Sequence, residues 1–388
     1  MKQKVVIMGG GIGGIVSAYY EAKKNNKVIL IESAERIGGL LKSDFNGKMN
    51  NKSCYVDTSI LSSENEYNRG CRELVEATNE YSNNLEKLII NKIGQTFYDE
   101  IISKVITKYT GLSPKDLDNK VGEFFDMSRL LVFDDDTTKK LCEIDTFNSK
   151  LGHHSRLDGS MKYYPKFGGV GKIIELLEET LIELGVEIKT NMKVLDFDNQ
   201  NGHIKTVITT DETFNVDKVV WTLASGQLLS MLNIQSSNKG ISFLNAGLYD
   251  FTFDKPIKSE STFINVYDTE LLSGRVTLYQ NLSKNNNYSC TVEVLSENDN
   301  LKALMNDIYN ELLTMGLIDK SYFVEYKNYR EIKNGFPILT KQFVKTQKET
   351  DEFCKKYFKN VVFSGRATAK EFFMPEVLVS TYNTIKGI

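Results

Sequence analysis

The first 39 residues constrain the fold more than any other part of the chain. An apolar run at Val5–Met8 leads directly into a G-x-G-x-x-G spacing at residues 9–14, and a helix-like stretch follows. A second apolar run, Val28–Ile31, then ends at Glu32. Because buried parallel strands are continuous apolar runs, this order predicts a dinucleotide-binding βαβ unit.

The glycines and the acid of this unit have separate predicted roles. Gly9 permits a tight turn, Gly11 lets the backbone approach a pyrophosphate, and Gly14 lets the helix pack closely on the strand. Gly13 belongs to the same predicted cofactor-binding loop, at a helix N-terminus whose N–H groups attract phosphate. A carboxylate at Glu32 suits the hydroxyls of an adenosine ribose and would repel a 2′-phosphate.

A second glycine pair follows the acid. The segment from Glu32 to Ser43 reads E-S-A-E-R-I-G-G-L-L-K-S. It resembles the E-x-x-x-R-x-G-G-x-x-x-S/T signature of FAD enzymes in the superfamily of amine oxidases, protoporphyrinogen oxidases, phytoene desaturases and UDP-galactopyranose mutases. The resemblance implies FAD as the cofactor, with the arginine and the glycine pair along its pyrophosphate and ribityl chain. The cofactor-binding residues expected here are Glu32, Ser33, Arg36, Gly38, Gly39 and Leu40.

The resemblance to this superfamily extends over most of the chain. The segment Tyr163–Gly169 is similar to a Y-P-x-G-G loop near the flavin, and Arg275 falls where relatives carry an arginine near the active-site sheet. Two further matches, a strand containing Val194 and a turn at Gly365-Arg366, imply contacts with the adenine and the pyrophosphate. The expected cofactor residues therefore include Val194, Gly365 and Arg366, and the catalytic candidates are Arg275, Tyr164 and Tyr279.

The pattern predicts an α/β fold in which the nucleotide-binding domain is discontinuous. A helix is predicted over residues 171–184, a strand over 186–194, and further buried strands at 219–222 and 360–363. We expect a Rossmann-like FAD-binding domain formed by residues 1–65, 163–235 and 340–388. An α+β substrate domain should combine a helical insertion at 66–162 with an antiparallel sheet at 236–339.

The sheet of the substrate domain is predicted to have one aromatic face. Phe243, Tyr249, Phe251 and Phe253 alternate along a strand and should share that face. The sheet would give a broad wall for a substrate, and a helix over residues 301–315 should cover its back.

The candidates for chemistry each have a simpler competing interpretation. Arg275 could clamp a phosphate or carboxylate, but a surface ion pair is as good an explanation. Tyrosine is abundant, with 19 copies, so packing is the commoner role for each one. The pair His153–His154 has no partner at ligand spacing. Asp134–Asp136 is typical of a solvated turn, and Trp221 of a core.

Composition restricts the partners. Lysine plus arginine number 48 and aspartate plus glutamate 51, which leaves no basic footprint for nucleic acid. Five scattered cysteines predict reduced thiols rather than disulfides or a zinc site, and hence a cytoplasmic protein. No apolar run approaches the ~20 residues of a membrane span. A small, anionic substrate is expected, and the oligomeric state stays open.

Two departures separate the chain from a typical mutase. The segment Asp57–Leu61 lacks the histidine that relatives carry beside the flavin, and Glu371–Glu376 lacks the tyrosines and aspartate of the mutase ending. Tyr109-Thr110 also stands where the mutases have glutamine and a substrate-stacking tryptophan. The preferred hypothesis is therefore an FAD-dependent oxidoreductase that transfers hydride from a small polar substrate, such as a nucleotide sugar of surface-glycan biosynthesis, to flavin N5. The alternatives are a mutase-like isomerase with reduced flavin as nucleophile, and a silent nucleotide-binding relative.

Overall fold

A computed structural model of the chain describes residues 2–39, 56–58, 61, 63–121, 129–153, 169–234, 242–282, 288–368, 371 and 374–387. The chain divides into two compact units. The first comprises Met1–Phe45, Phe167–Lys239 and Val344–Ile388, and the second comprises Asn46–Lys166 and Gly240–Phe343. Leu40, Tyr164 and His154, which the sequence analysis singled out, lie outside the described residues.

The first unit is built on a five-stranded parallel sheet. Its strands, in spatial order, are β15 (Val361–Phe363), β9 (Lys218–Trp221), β1 (Lys4–Met8), β2 (Lys27–Ile31) and β5 (Glu187–Lys189). The apolar runs that predicted β1 and β2 are buried at every position except the first of each strand. Burial on both faces explains why these strands lack the alternation of a half-exposed strand.

Two different layers cover this sheet. Val5, Ile7, Val28 and Leu30 share one core with three helices, which are α1 (Ile12–Lys23), α8 (Gly169–Glu183) and α12 (Met374–Lys386). The other face packs on a three-stranded antiparallel sheet and on two helices. These elements are β6 (Val194–Gln200), β7 (His203–Thr209), β8 (Thr213–Asn215), α9 (Ser225–Met231) and α11 (Lys341–Tyr357). Trp221 is fully buried in this second core, as predicted.

The strand predicted over residues 186–194 is in fact two strands in two sheets. β5 ends at Lys189 in the parallel sheet, and β6 begins at Val194 in the antiparallel sheet. Asn191 between them has a φ of 54°, a left-handed conformation that interrupts a strand. The alternation of apolar residues continued through this break because both strands bury one face.

The second unit combines helices with a larger antiparallel sheet. The helices and short strands of its first part are β3 (Val56–Asp57), α2 (Glu64–Glu76), α3 (Leu85–Ile93), α4 (Gln95–Phe97), a π-helical turn (Tyr98–Ile102), α5 (Ser103–Thr110), β4 (Leu130–Leu131), α6 (Asp135–Leu141) and α7 (Asp145–Asn148). Asp134, predicted as part of a solvated turn, caps α6 by accepting bonds from the N–H groups of Asp136 and Thr137.

The antiparallel sheet of the second unit has five strands in the order β11, β12, β13, β10 and β14. Their bounds are β10 (Phe243–Phe253), β11 (Phe263–Asn265), β12 (Arg275–Leu278), β13 (Ser289–Ser296) and β14 (Val324–Pro337). One face of the sheet packs on α10 (Met305–Thr314), and Tyr249, Phe251, Ile308 and Leu312 are buried between them.

Two details of this sheet differ from the prediction. Phe243 does not share the buried face of Tyr249, Phe251 and Phe253; its side chain is 38% exposed. The register of β10 against β14 shifts between Leu244 and Ala246, with the extra residues in β14, and Phe243 lies beyond this shift. The 14-residue strand β14 was not predicted at all.

The predicted fold class is confirmed. A discontinuous Rossmann-like unit with a parallel sheet is accompanied by an α+β unit with an antiparallel sheet. Within the described ranges, every helix is too short or too polar to span a lipid bilayer.

Candidate functional site

The glycine loop between β1 and α1 is packed against the backbone at two points. A Cβ built on Gly14 would lie 1.9 Å from the carbonyl oxygen of Gly9, so no side chain fits there. A Cβ on Gly13 would lie 2.7 Å from Gly365 Cα. The loop from β1 and the loop after β15 therefore meet at the carboxyl end of the sheet, where ligands of open α/β sheets bind.

The start of α1 is suited to an anion. Gly11 occupies the N-cap position, no side chain caps the helix, and its first turn has no acidic residue. A Cβ on Gly11 would meet nothing within 4 Å, so the backbone faces open space at this point. A helix N-terminus of this kind presents N–H groups and a partial positive charge to a phosphate.

Glu32 is held in place by the loops on either side of it. Its Oε2 accepts a bond from the Gly10 N–H at 2.7 Å, and its Oε1 accepts one from the Ala34 N–H at 2.8 Å and one from the Ser33 hydroxyl at 3.3 Å. The side chain is half-buried. A carboxylate offers about four lone-pair sites, so capacity remains for a ligand hydroxyl.

The second glycine pair lies directly on the first loop. The Gly38 N–H donates to the carbonyl oxygen of Gly10 at 2.8 Å. A Cβ on Gly39 would approach Gly11 Cα to 3.3 Å. Two side-chain-free backbone segments are thereby stacked beside the helix N-terminus, and Arg36 between Glu32 and the pair is exposed.

The remaining predicted cofactor residues of the first unit flank the same edge. Gly365 follows β15 with a φ of 86° and lies against Thr222 at the end of β9. Burial lowers the pKa of the adjoining Arg366, and a partly desolvated guanidinium interacts strongly with an anion. Val194 begins β6, two residues after Met192, whose N–H donates to the Glu32 carbonyl at 3.0 Å.

This arrangement fits a dinucleotide. A pyrophosphate would meet a helix start without a side-chain cap and the half-buried Arg366. A ribose would meet the oriented carboxylate of Glu32, and the two glycine segments leave backbone available along an extended chain. The structure brings together Gly9, Gly11, Gly13, Gly14, Glu32, Ser33, Gly38, Gly39 and Gly365.

In the second unit, the sheet face opposite α10 is polar. Val276, Val292 and Val294 point into the core, so the alternate residues of β12 and β13 lie on the other face. These are Arg275, Thr277, Thr291 and Glu293, joined by Asp250 of β10 and Arg330 of β14 through the strand register. The predicted wall for a substrate is thus lined with charges and hydroxyls.

Arg275 is positioned by two neighbours on β11. Its Nε donates to Asn265 Oδ1 at 3.2 Å, and its guanidinium carbon lies 5.5 Å from the centre of the Phe263 ring. Glu293 lies opposite it on β13. The asparagine bond uses only Nε, so the terminal nitrogens, which form the bidentate fork, stay available for a carboxylate or phosphate.

Tyr279 begins a hydrogen-bonded chain across this face. Its hydroxyl lies 3.0 Å from Thr291 Oγ1, which is 2.6 Å from Asp250 Oδ1. Asp250 also receives two bonds of 2.9 Å from Arg330. Thr291 has one proton and donates it to Asp250, so Tyr279 is the donor to Thr291.

The functional candidates Asp250, Thr291 and Arg330 were not predicted from the sequence. Asp250 and Arg330 are separated by 80 residues, and Asp250 stands among aromatic residues of β10. The one available signal was a lone acid in a mostly apolar strand, since such a residue is buried only when it is paired.

Tyr109, one of the residues at which the chain departs from the mutases, and the adjoining Lys108 have structural roles. Lys108 Nζ donates to three backbone carbonyl oxygens, those of Val266, Asp268 and Ser273. The buried hydroxyl of Tyr109 lies 2.8 Å from the Gly274 carbonyl, and burial raises its pKa. Packing, the commoner role for a tyrosine, is the one observed for Tyr109.

Comparisons with known proteins agree with this geometry. Residues 7–68 match the family model of the NAD(P)-binding Rossmann-like domain. A search of curated protein sequences finds no match to this chain. Among solved structures, a reduced UDP-galactopyranose mutase is similar with a TM-score of 0.77 and 15% identity, over 99% of this chain and 95% of that one.

Two further solved structures are similar over their whole length. A proposed protoporphyrinogen oxidase from Exiguobacterium sp. 255-15 has a TM-score of 0.73 at 15% identity, covering 100% of this chain and 98% of that one. An oxidoreductase from Methanosarcina mazei has a TM-score of 0.61 at 14% identity, covering 99% and 100%. The chain has the fold of these proteins. The resemblance stated from the sequence is confirmed at this level.

Proposed function

We propose that the chain is an FAD-dependent oxidoreductase that acts on a small, polar, anionic substrate. The observation that carries the proposal is the contact between two glycine segments at the start of α1, next to the oriented carboxylate of Glu32. One glycine loop serves any dinucleotide. The second segment, Arg36–Gly39, extends the same anion-binding backbone surface, which suits the longer pyrophosphate and ribityl chain of FAD.

The residues proposed to hold FAD form four groups, one for each part of the cofactor that they would contact. Gly9, Gly11, Gly13 and Gly14, with Gly365 and Arg366, would hold the pyrophosphate. Glu32 and Ser33 would hold the ribose, Val194 the adenine, and Arg36, Gly38, Gly39 and Leu40 the ribityl side. A bound flavin would supply the electron acceptor, which protein side chains do not offer.

The substrate is proposed to bind on the polar face of the antiparallel sheet. Arg275 would clamp its anionic group. Tyr279 would contact the substrate from its place beside Thr291 and Asp250 on the same face. Tyr164 is proposed as a further contact on the resemblance alone. A nucleotide sugar of surface-glycan biosynthesis supplies both an anion and hydroxyls, and cytoplasmic enzymes meet such substrates.

The cofactor proposal is tested by reconstitution. The protein is first unfolded and then refolded, and the refolded protein is titrated separately with FAD and with NAD⁺. The ligand that it retains is measured by absorbance after gel filtration. We expect FAD to be retained by the wild type and by Glu35→Ala, whose side chain is exposed, but lost from Gly11→Val and weakened in Glu32→Ala. Full FAD retention by Gly11→Val would contradict the assignment of FAD as the cofactor. Retention of NAD⁺ but not FAD by the wild type would contradict it as well.

The substrate proposal is tested with UDP-sugars added to oxidised and to dithionite-reduced protein. We expect one sugar to bleach the oxidised flavin absorbance. Arg275→Ala should raise KM by the equivalent of ~1.5–3 kcal/mol, the usual contribution of a charged hydrogen bond, while the exposed Lys302→Ala should not. Sugar isomerisation only after reduction, without net oxidation, would favour the mutase instead. An unchanged KM would exclude Arg275 from the site.

A further inference from the structure

Among the residues that the structure describes, the strand β14 forms a long open edge of the antiparallel sheet. It is the last strand in the order β11-β12-β13-β10-β14, and no strand among the described residues pairs with its outer side. It is 14 residues long, and Glu325, Tyr326, Lys327 and Arg330 are exposed. Such edges expose unpaired backbone groups and are templates for another strand.

The regular part of this edge has a defined centre. The pairing of β14 with β10 runs without interruption from Tyr326 to Ile332, and a register shift bounds it on each side. The middle residue of these seven is Tyr329. A two-fold axis at Tyr329 would therefore pair two copies of the regular segment along their full length, while the irregularities would stop the pairing beyond it.

The side chains of β14 are self-complementary about the same residue. When the regular segment is written antiparallel to itself with Tyr329 opposite Tyr329, Lys327 faces Glu331. Tyr326 then faces Ile332, and Asn328 faces Arg330. The Lys327–Glu331 pair occurs twice by symmetry, so two pairs of opposite charge flank the axis.

The neighbouring registers that keep the same sheet faces lack this property. An axis at Asn328 or at Arg330 would pair only five of the seven regular residues and would separate Lys327 from Glu331. An axis at Arg330 would also place the arginine opposite itself. Like charges directly opposite each other are destabilising, so only the axis at Tyr329 combines charge complementarity with the regular segment.

We propose that β14 is a homodimer interface in which two copies of this chain join their antiparallel sheets edge to edge, with Tyr329 on the two-fold axis. The occupant is a second copy rather than another protein, because the strand's own charge order is complementary to itself. The pair would form one continuous ten-stranded sheet from the two five-stranded sheets.

A charge exchange tests the proposal. Sedimentation velocity over a range of concentrations should show a monomer–dimer equilibrium for the wild type. Lys327→Glu alone and Glu331→Lys alone each place like charges opposite each other twice, so each should raise the dimer dissociation constant by roughly tenfold or more. The double variant Lys327→Glu/Glu331→Lys restores opposite charges and should restore the dimer.

The controls carry the same charge changes elsewhere in this unit. Lys320→Glu and Glu297→Lys alter exposed residues outside β14 and should leave the equilibrium unchanged, and circular dichroism checks that every variant is folded. A wild type that stays monomeric at all concentrations would overturn the proposal. So would single variants that dimerise like the wild type, or a double variant that dimerises no better than the single ones.

Discussion

Gly14→Ala should destabilise the first unit although alanine favours helices. The new Cβ would lie 1.9 Å from the Gly9 carbonyl oxygen, so α1 must move away from β1 by more than an ångström. Overpacking of this kind costs up to about 3 kcal/mol. Alanine recovers about 1 kcal/mol of helix propensity. The net loss in the free energy of unfolding is about 2 kcal/mol.

Gly11→Ala is the matched control. Gly11 has φ −69° and ψ 178°, which alanine adopts freely, and its Cβ would meet nothing within 4 Å. Alanine is a poorer N-cap residue than glycine, which lowers the stability. Alanine also reduces the conformational freedom of the unfolded chain, which raises it. The stability of Gly11→Ala should therefore stay within roughly 0.5 kcal/mol of the wild type.

Trp221 provides the assay. It is the single tryptophan of the chain and is buried in the parallel sheet of the first unit, so its fluorescence reports the unfolding of that unit by urea. If the free energy of unfolding decreases by about 2 kcal/mol per M urea, the urea concentration at the unfolding midpoint should be about 1 M lower for Gly14→Ala than for the wild type. Equal midpoints for Gly14→Ala and the wild type would refute the steric argument, and so would an equal shift for Gly11→Ala.

Three further perturbations follow from buried polar groups. Glu21→Gln should destabilise the first unit by about 3–5 kcal/mol, measured by urea unfolding, because the buried carboxylate bonds Lys218 at 2.9 Å and its loss leaves a half-buried charge. Burial lowers the pKa of Lys92 from 10.5 to about 8. Between these two pH values the unfolded chain binds more protons than the folded one. The free energy of unfolding of the wild type should therefore increase with pH over this interval, relative to that of Lys92→Met. Tyr109→Phe should cost about 1–3 kcal/mol in thermal unfolding, since the carbonyl of Gly274 loses its donor; an unchanged midpoint would contradict this.

The predictable parts of the fold were those in which local sequence decides the structure. β1 and β2 are buried on both sides and are therefore apolar throughout, and the glycines between β1 and α1 are required by contacts within a few residues. The helix covering the antiparallel sheet was predicted for the same reason, since Ile308 and Leu312 recur at helical spacing and both are buried.

The missed parts depend on contacts between distant segments. β14 has one half-exposed face and, among the described residues, an open edge. It therefore carries many charged residues, and these interrupt the alternation of apolar and polar residues that is typical of a strand. The bond between Asp250 and Arg330 joins two strands that are adjacent only in the folded sheet. The break at Asn191 likewise results from strands that join different sheets, which no local periodicity can indicate.

The anion-binding end of the parallel sheet depends on segments that are far apart in the sequence. β15 and α12 complete a sheet in which β1 is the central strand. Gly13 meets Gly365, and Lys24 Nζ donates to the Ile385 carbonyl 361 residues away. Contacts this distant in sequence form slowly. The glycine loop after β1 is therefore completed late in folding, when β15 and α12 have packed against it.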